Sequence, residues 1–213
     1  LSGPDRWRHR VGGRVNTAHR PALVVVGNGM AGMRTVEELL ALAPGMYDIT
    51  VFGAEPHVNY NRIMLSPVLA GDKTQDDIVL HPRAWYAEHG ITLHTGDPVV
   101  AIDRRRRSVR SQSGVEVAYD RLLLATGSQP FIVPVPGADL PGVVGFRDLD
   151  DVDTMLQAAR DGRNAVVIGG GLLGLEAANG LLRRGMDVTV VHLTGSLLNQ
   201  QLDGDASLLL KGA

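Results

Sequence analysis

The chain has 213 residues, enough for one large or two small domains. Hydrophobic residues make up 44% and glycines number 26, which excludes a disordered polymer and fits a glycine-punctuated α/β protein. A net charge of −2, 4% aromatics and no cysteine exclude a basic nucleic-acid binder with stacking platforms, disulfides, thiolate catalysis and cysteine-ligated iron–sulfur clusters within this chain.

Residues 1–20 carry Arg6, Arg8, Arg10, Arg14 and Arg20 against one acid, Asp5, and have no apolar centre. They are expected to be a disordered leader rather than a signal or transit peptide. No apolar run approaches the ~20 residues of a membrane span, so no membrane contact and a cytoplasmic location are expected. Leu23 to Gly32 then reads Leu-Val-Val-Val-Gly-Asn-Gly-Met-Ala-Gly. The β-branched run Val24–Val26 predicts a strand buried on both faces. Gly27, Gly29 and Gly32 follow as G-x-G-x-x-G, and Met33, Val36, Leu39 and Leu40 repeat at helical spacing until Pro44 and Gly45. In this strand–turn–helix context Gly27 makes the tight turn, Gly29 admits a pyrophosphate and Gly32 lets the helix close on the strand. The helix N-terminus aims its N–H groups at the phosphate. Asp48–Phe52 predicts the next strand. Glu55, just beyond it, has two readings: a ligand of ribose hydroxyls, with Ala54 as the alternative occupant of that position, or a solvated turn residue.

Residues 55–80 show little periodicity and read as a connecting loop with a short helix. His81-Pro82 to Gly90 predicts a short helix, and Ile91–Leu93 a brief strand. Val99–Asp103, Ser108–Arg110 and Val115–Ala118 predict a β-meander, with Arg104–Arg107 as a solvated hairpin tip. Leu122–Ala125 predicts another buried strand, ending in Thr126-Gly127-Ser128. The Pro- and Gly-rich stretch 129–145 marks a domain boundary. Asp150–Arg160 predicts an amphipathic helix with Val152, Met155, Leu156 and Ala159 on one face. The opening pattern then returns. Ala165–Ile168 predicts a buried strand and Gly169, Gly171 and Gly174 repeat the fingerprint. A helix runs to Arg183-Arg184 with Gly185 at its C-cap, and Val188–Val191 predicts a strand ending at His192. Val24–Leu39 and Val166–Leu181 align without a gap, which predicts two dinucleotide sites.

Two glycine fingerprints with Ala125-Thr126-Gly127 between them resemble the two-dinucleotide-binding flavoprotein reductases. The resemblance implies FAD at the first fingerprint, NADH or NADPH at the second, and a further FAD contact at Ala125, Thr126 and Gly127. Disulfide reductases of that superfamily carry a cysteine pair after the first fingerprint; with no cysteine here, that chemistry is excluded. Tyr60-Asn61-Arg62-Ile63-Met64-Leu65-Ser66 resembles the Tyr-Asp-Arg-Pro-Pro-Leu-Ser-Lys segment of ferredoxin- and rubredoxin-type reductases, with Pro67 where many of them carry a flavin-contacting Lys. Together with His81-Pro82-Arg83-Ala84-Trp85-Tyr86 and Gln201-Leu202-Asp203, it looks most like the N-terminal part of the large subunits of assimilatory NAD(P)H nitrite reductases.

The resemblance implies a hydride passed from NADH to flavin, then electrons passed on to iron–sulfur and sirohaem centres in domains downstream, for reduction of nitrite to ammonia. The alternatives are a ferredoxin- or rubredoxin-type reductase, and a non-catalytic FAD- and NAD-binding module like the apoptosis-inducing-factor-type flavoproteins. The expected architecture is α/β, with two Rossmann-like domains. Residues 21–140 are an incomplete FAD-binding domain holding the β-meander, and 141–213 a truncated NAD(P)-binding domain, the whole a fragment of a longer protein. Candidate cofactor contacts are Gly27, Gly29, Met30, Ala31 and Gly32 at the first fingerprint, with Glu55, Arg62 and Val99 beside it. At the second they are Gly169, Gly171, Leu172, Leu173, Gly174, Glu176 and His192. Glu176 has two compatible readings, a neighbour of the nicotinamide or a polar residue capping the domain interface. No side chain is required as acid, base, nucleophile or metal ligand. The implied partners are NAD(P)H and a redox acceptor domain or protein, with a homodimer compatible and no nucleic acid. His192 stands where NAD sites place Asp or Glu, and Leu193–Asn199 hold no Arg or Lys, which predicts a modest preference for NADH.

Overall fold

β1 (Ala22–Val26), α1 (Met30–Leu42) and β2 (Asp48–Phe52) form the first β-α-β unit in a computed structural model that describes residues 20–212. The expected leader, Arg20 apart, lies outside the described residues. Val24 and Val25 have no exposed surface, as their unbroken β-branched run requires. The chain continues through β3 (Asn59–Tyr60), a single 3₁₀ turn at Arg62–Met64, α2 (Leu65–Ala70) and a second such turn at Asp76–Ile78. Next come β4 (Val79–His81), α3 (Arg83–Glu88) and β5 (Thr92–His94). The stretch expected as a loop with a short helix is thus largely ordered, and β3 pairs antiparallel with β4. Strands of two and three residues are too short to display a period of two, so the sequence pattern could not reveal them.

β6 (Val99–Asp103), β7 (Ser108–Ser111) and β8 (Glu116–Ala118) form the antiparallel meander, with Arg104–Arg107 exposed at its first turn. β9 (Arg121–Leu124) returns beside β1, completing a parallel sheet of order β5-β2-β1-β9. No helix or strand occurs from 125 to 148. α4 (Leu149–Asp161) then starts at a capping box between Asp148 and Asp151. The second β-α-β unit is β10 (Asn164–Ile168), α5 (Leu172–Arg183) and β11 (Asp187–Val191), with β10 and β11 parallel; α6 (Gly204–Gly212) follows. No helix among the described residues is long and apolar enough to cross a membrane.

Two strands predicted as buried are not. Leu124 in β9 is 58% exposed, and Val166 and Ile168 in β10 are 65% and 63% exposed. Side chains alternate between the two faces of a strand: Ala165 and Val167 pack against the core, whereas Val166 and Ile168 point to the face that no described element covers.

Three clusters make the core. Leu23, Val25, Met33, Val36, Ile49, Val51, Tyr86 and Ile91 fill the space between the parallel sheet, α1 and α3. Val24, Val26, Phe52 and Val109 lie between that sheet and the meander. The third cluster joins Tyr60, Leu65, Val68, Leu69 and Ile78 to Leu149, Val152, Met155, Ala177, Leu181 and Met186. It therefore draws on residues from both sides of the stretch without regular structure. At about 1.5–3 kcal/mol per fully buried aliphatic side chain, it is a substantial bond between the β3–α2 segment and the second β-α-β unit. Gly180 lets α5 approach α2 this closely, since a Cβ there would lie 2.7 Å from Leu69 Cγ.

Candidate functional site

The first fingerprint is a turn closed on three sides and open on the fourth. Gly27 has φ +114°, and a Cβ there would lie 2.1 Å from the Ala125 carbonyl oxygen. A Cβ on Gly32 would lie 2.9 Å from the Gly27 oxygen and 3.0 Å from Ala125 Cβ. A Cβ on Gly29 meets nothing within 4 Å. Gly29 is also the N-cap of α1, whose first turn no side chain caps, with Met30 and Ala31 exposed beside it. Open space in front of uncapped helical N–H groups is what a pyrophosphate needs. Ala125 closes the turn from β9, donating its N–H to the Val26 carbonyl at 2.8 Å, and Thr126 and Gly127 continue exposed from there.

The other candidates near the first fingerprint are held by the protein. Glu55 accepts the Tyr60 hydroxyl on one carboxylate oxygen and Arg62 on the other, both at 2.5 Å. Arg62 also donates to the Arg147 carbonyl at 2.6 Å. Burial pushes the Tyr60 phenol up and the Glu55 carboxylate pushes it further, so the hydroxyl remains a donor. Arg147 donates to Ser128 Oγ at 2.9 Å, while its Nε is buried with no partner among the described residues. Val99 opens β6 and packs against the core of Val24, Val26, Phe52 and Val109.

The second fingerprint repeats the geometry. Gly169 has φ +126°, a Cβ on Gly174 would lie 2.0 Å from the Gly169 oxygen, and a Cβ on Gly171 meets nothing within 4 Å. Leu172 and Leu173, in the uncapped first turn of α5, are more than half exposed. Glu176 accepts the Ser66 hydroxyl at 2.6 Å, so it joins α5 to α2. Arg183 and Arg184, at the C-terminal end of α5, reach α2 and the turn that follows it. Arg183 forks onto Asp72 at 2.6 Å through each nitrogen, and Arg184 donates to the Leu69 and Val68 carbonyls.

His192 folds back over its own fingerprint. Its Nδ1 accepts the Gly170 N–H at 3.0 Å, and its Nε2 lies 3.1 Å from Thr194 Oγ1, whose hydrogen goes to the Ser196 carbonyl. The ring is therefore a neutral tautomer with its hydrogen on Nε2. Two features lie outside the sequence-based site. Lys211 on α6 donates to the Gly195 carbonyl and brings a cation to a loop that has none of its own. Asn28, between the first two glycines, is gripped by residues from β3 and α3. Neither shows locally, because every partner is distant in sequence.

The sequence profile of the family described as pyridine nucleotide-disulphide oxidoreductase matches residues 21–213. A Bacillus subtilis (strain 168) protein named nitrite reductase [NAD(P)H] is 54% identical over 89% of this chain, and the match covers 24% of that protein. The nitrite reductase (NADH) large subunit of Escherichia coli (strain K12) is 37% identical over 85% of this chain and 21% of its own length. The crystal structure of NADH:rubredoxin oxidoreductase from Clostridium acetobutylicum aligns with TM-score 0.80 and 29% identity, over 90% of this chain and 50% of that one. The chain thus spans about a quarter of the Bacillus relative. With the profile matched across nearly its whole length and two dinucleotide turns of one geometry, the chain belongs to the pyridine nucleotide-disulphide oxidoreductase family.

Proposed function

We propose that the chain is the electron-entry module of an FAD-dependent NAD(P)H oxidoreductase, with FAD on residues 21–140 and the nicotinamide nucleotide on 141–213. The observation that carries this reading is the pair of open glycine floors, Gly29 and Gly171, each in front of an uncapped helix start. Gly27 and Gly32 shape the first cradle, and the N–H groups at Met30 and Ala31 face the pyrophosphate. Thr126 and Gly127 extend that cradle from β9. The Glu55–Tyr60–Arg62 cluster braces its rim. In the second, Gly169, Gly171 and Gly174 do the same work, and Leu172 and Leu173 offer apolar cover. Glu176 holds α5 against α2 through Ser66, which fixes one cradle relative to the other. Bound flavin supplies the redox chemistry, accepting a hydride and passing electrons on. The protein contributes position and exclusion of water.

The 54% identity to the Bacillus nitrite reductase supports nitrite as the substrate of the whole protein, with iron–sulfur and sirohaem groups outside this stretch. The structural likeness to NADH:rubredoxin oxidoreductase supports the second reading, a reductase for a small redox protein. Anaerobic NADH added to the FAD-loaded protein should bleach the flavin absorbance, and an artificial acceptor should restore it. A protein that takes up no FAD refutes the proposal. Reoxidation by a sirohaem domain but not by rubredoxin favours nitrite; the reverse favours the second reading.

A further inference from the structure

Within the segment His81-Pro82-Arg83-Ala84-Trp85-Tyr86, Tyr86 reaches Asn28, between Gly27 and Gly29, directly, and His81 reaches it through Asn59. Tyr86 donates its hydroxyl to Asn28 Oδ1 at 2.7 Å. Asn59 donates Nδ2 to the Asn28 carbonyl at 2.9 Å, and its Oδ1 lies 2.8 Å from His81 Nδ1. His81 Nε2 lies 2.7 Å from Glu37 Oε1 on α1. Asn59, His81 and Tyr86 are at most 6% exposed, and the Trp85 ring covers His81 at 4.2 Å between centroids. A buried polar chain with every partner satisfied is rigid. This one runs from α1 through β4 and β3 to the fingerprint loop.

The partners fix the protonation of His81. Asn59 gives its amide hydrogen to Asn28, so its Oδ1 is an acceptor. Glu37 is a carboxylate and offers acceptors alone. Both His81 nitrogens therefore carry hydrogen, and the ring is an imidazolium. The charged and titratable groups around it are Glu37 from α1, with Arg34 bonded to the other Glu37 oxygen, and Arg83 and Tyr86 from α3. A neutral His81 would have to give up one of its two bonds.

We propose that His81 is a positioning residue for the flavin cradle: as an imidazolium it holds Asn59, and through it Asn28, so that the Gly27–Gly29 loop is set before the pyrophosphate arrives. The inference rests on the first fingerprint being the FAD site. A loop ordered in advance binds more tightly because less freedom is lost on binding. FAD affinity is therefore highest where His81 is doubly protonated and falls as pH rises.

The test is the Kd for FAD of the apoprotein, measured at intervals from about pH 5.5 to about pH 8.5. The unmodified chain should weaken about tenfold across that range, as expected for one hydrogen bond to a charged group. His81→Gln, which has no proton to lose, should show no slope. Tyr86→Phe should bind about fivefold more weakly at every pH while keeping the slope. A flat profile in the unmodified chain, or an unchanged slope in His81→Gln, overturns the proposal. If His81→Gln does not fold, as read by its circular dichroism melt, the other two decide: a flat unmodified profile or full affinity in Tyr86→Phe overturns it. An unmodified chain that binds FAD at no pH refutes the FAD assignment itself.

Discussion

Ser66 donates its hydroxyl to Glu176 Oε2 at 2.6 Å, one bond linking α2 to α5 across the seam between α2 and the second β-α-β unit. The bond is partly buried and its acceptor is charged, the setting in which a hydrogen bond contributes most. Ser66→Ala should lower unfolding stability by about 1.5 kcal/mol. The neighbouring Arg183–Asp72 pair is longer in reach but half exposed, at 46% and 52%, and water and salt screen it. Arg183→Ala should therefore cost less than Ser66→Ala. Urea unfolding of both variants decides; the opposite order would mean that the seam is held from its rim.

The second and third glycines of the first fingerprint should fail in different ways. A side chain at Gly29 enters open space at an ordinary backbone angle, so Gly29→Val should leave the melting temperature nearly unchanged and abolish flavin retention. At Gly32 the new Cβ meets the Gly27 oxygen at 2.9 Å and Ala125 Cβ at 3.0 Å. Gly32→Ala should thus destabilise the fold by about 1–3 kcal/mol through overpacking. Thermal melts and FAD content measured on the same samples separate the two effects. A Gly29→Val protein that purifies with full flavin would refute the cradle.

Acid should unfold the chain partly through Glu37. Burial pushes its carboxyl up, but the hydrogen bonds and charges of His81 and Arg34 outweigh that and leave it below its ordinary value of 4.5. A depressed folded-state value means the stabilisation is complete above the unfolded value and is lost as pH falls through the folded one. Glu37→Gln should therefore be less stable than the unmodified chain at about pH 6, with the gap closing below about pH 4. Urea midpoints at the two pH values test this, and a gap that widens in acid contradicts it.

What the sequence revealed was local. Gly27, Gly29 and Gly32 are legible because the turn, the floor and the helix start are all within six residues, with a β-branched run before them and helical periodicity after. The same holds for Gly169, Gly171 and Gly174. The remainder depends on chain segments that meet only in the fold. Ser66 and Glu176 are 110 residues apart, and Asn28 is tied to Tyr86 across 58. Arg183 and Arg184 read as no more than a helix end, since nothing nearby in sequence names Asp72, Leu69 and Val68 as their partners. Leu122–Leu124 and Val166–Ile168 carry the composition of interior strands, but exposure is decided by what packs over each face, and Leu124, Val166 and Ile168 remain exposed.

The preference expected between NADH and NADPH has to take in a residue outside the loop, Lys211 on α6. His192 occupies the place of the ribose-binding acid, but both ring nitrogens are engaged, one by the Gly170 N–H and one at Thr194. It therefore braces the glycine loop, and it offers no carboxylate to repel a 2′-phosphate. The loop itself has no cation, yet Lys211 reaches its Gly195 carbonyl from α6. One exposed ammonium, already bonded to a carbonyl, is weak compensation for desolvating a phosphate dianion. A modest NADH preference is expected to survive, and Lys211→Ala should widen it about fivefold by reducing kcat/KM for NADPH alone. His192→Arg adds a second cation but removes the acceptor for Gly170. It should lower kcat/KM for NADH while raising the NADPH-to-NADH ratio. Steady-state rates with both nucleotides at about pH 8, where an ordinary histidine is neutral, provide the check. A clear NADPH preference in the unmodified protein, or a Lys211→Ala variant that loses both nucleotides equally, would show that this loop does not read the 2′ position.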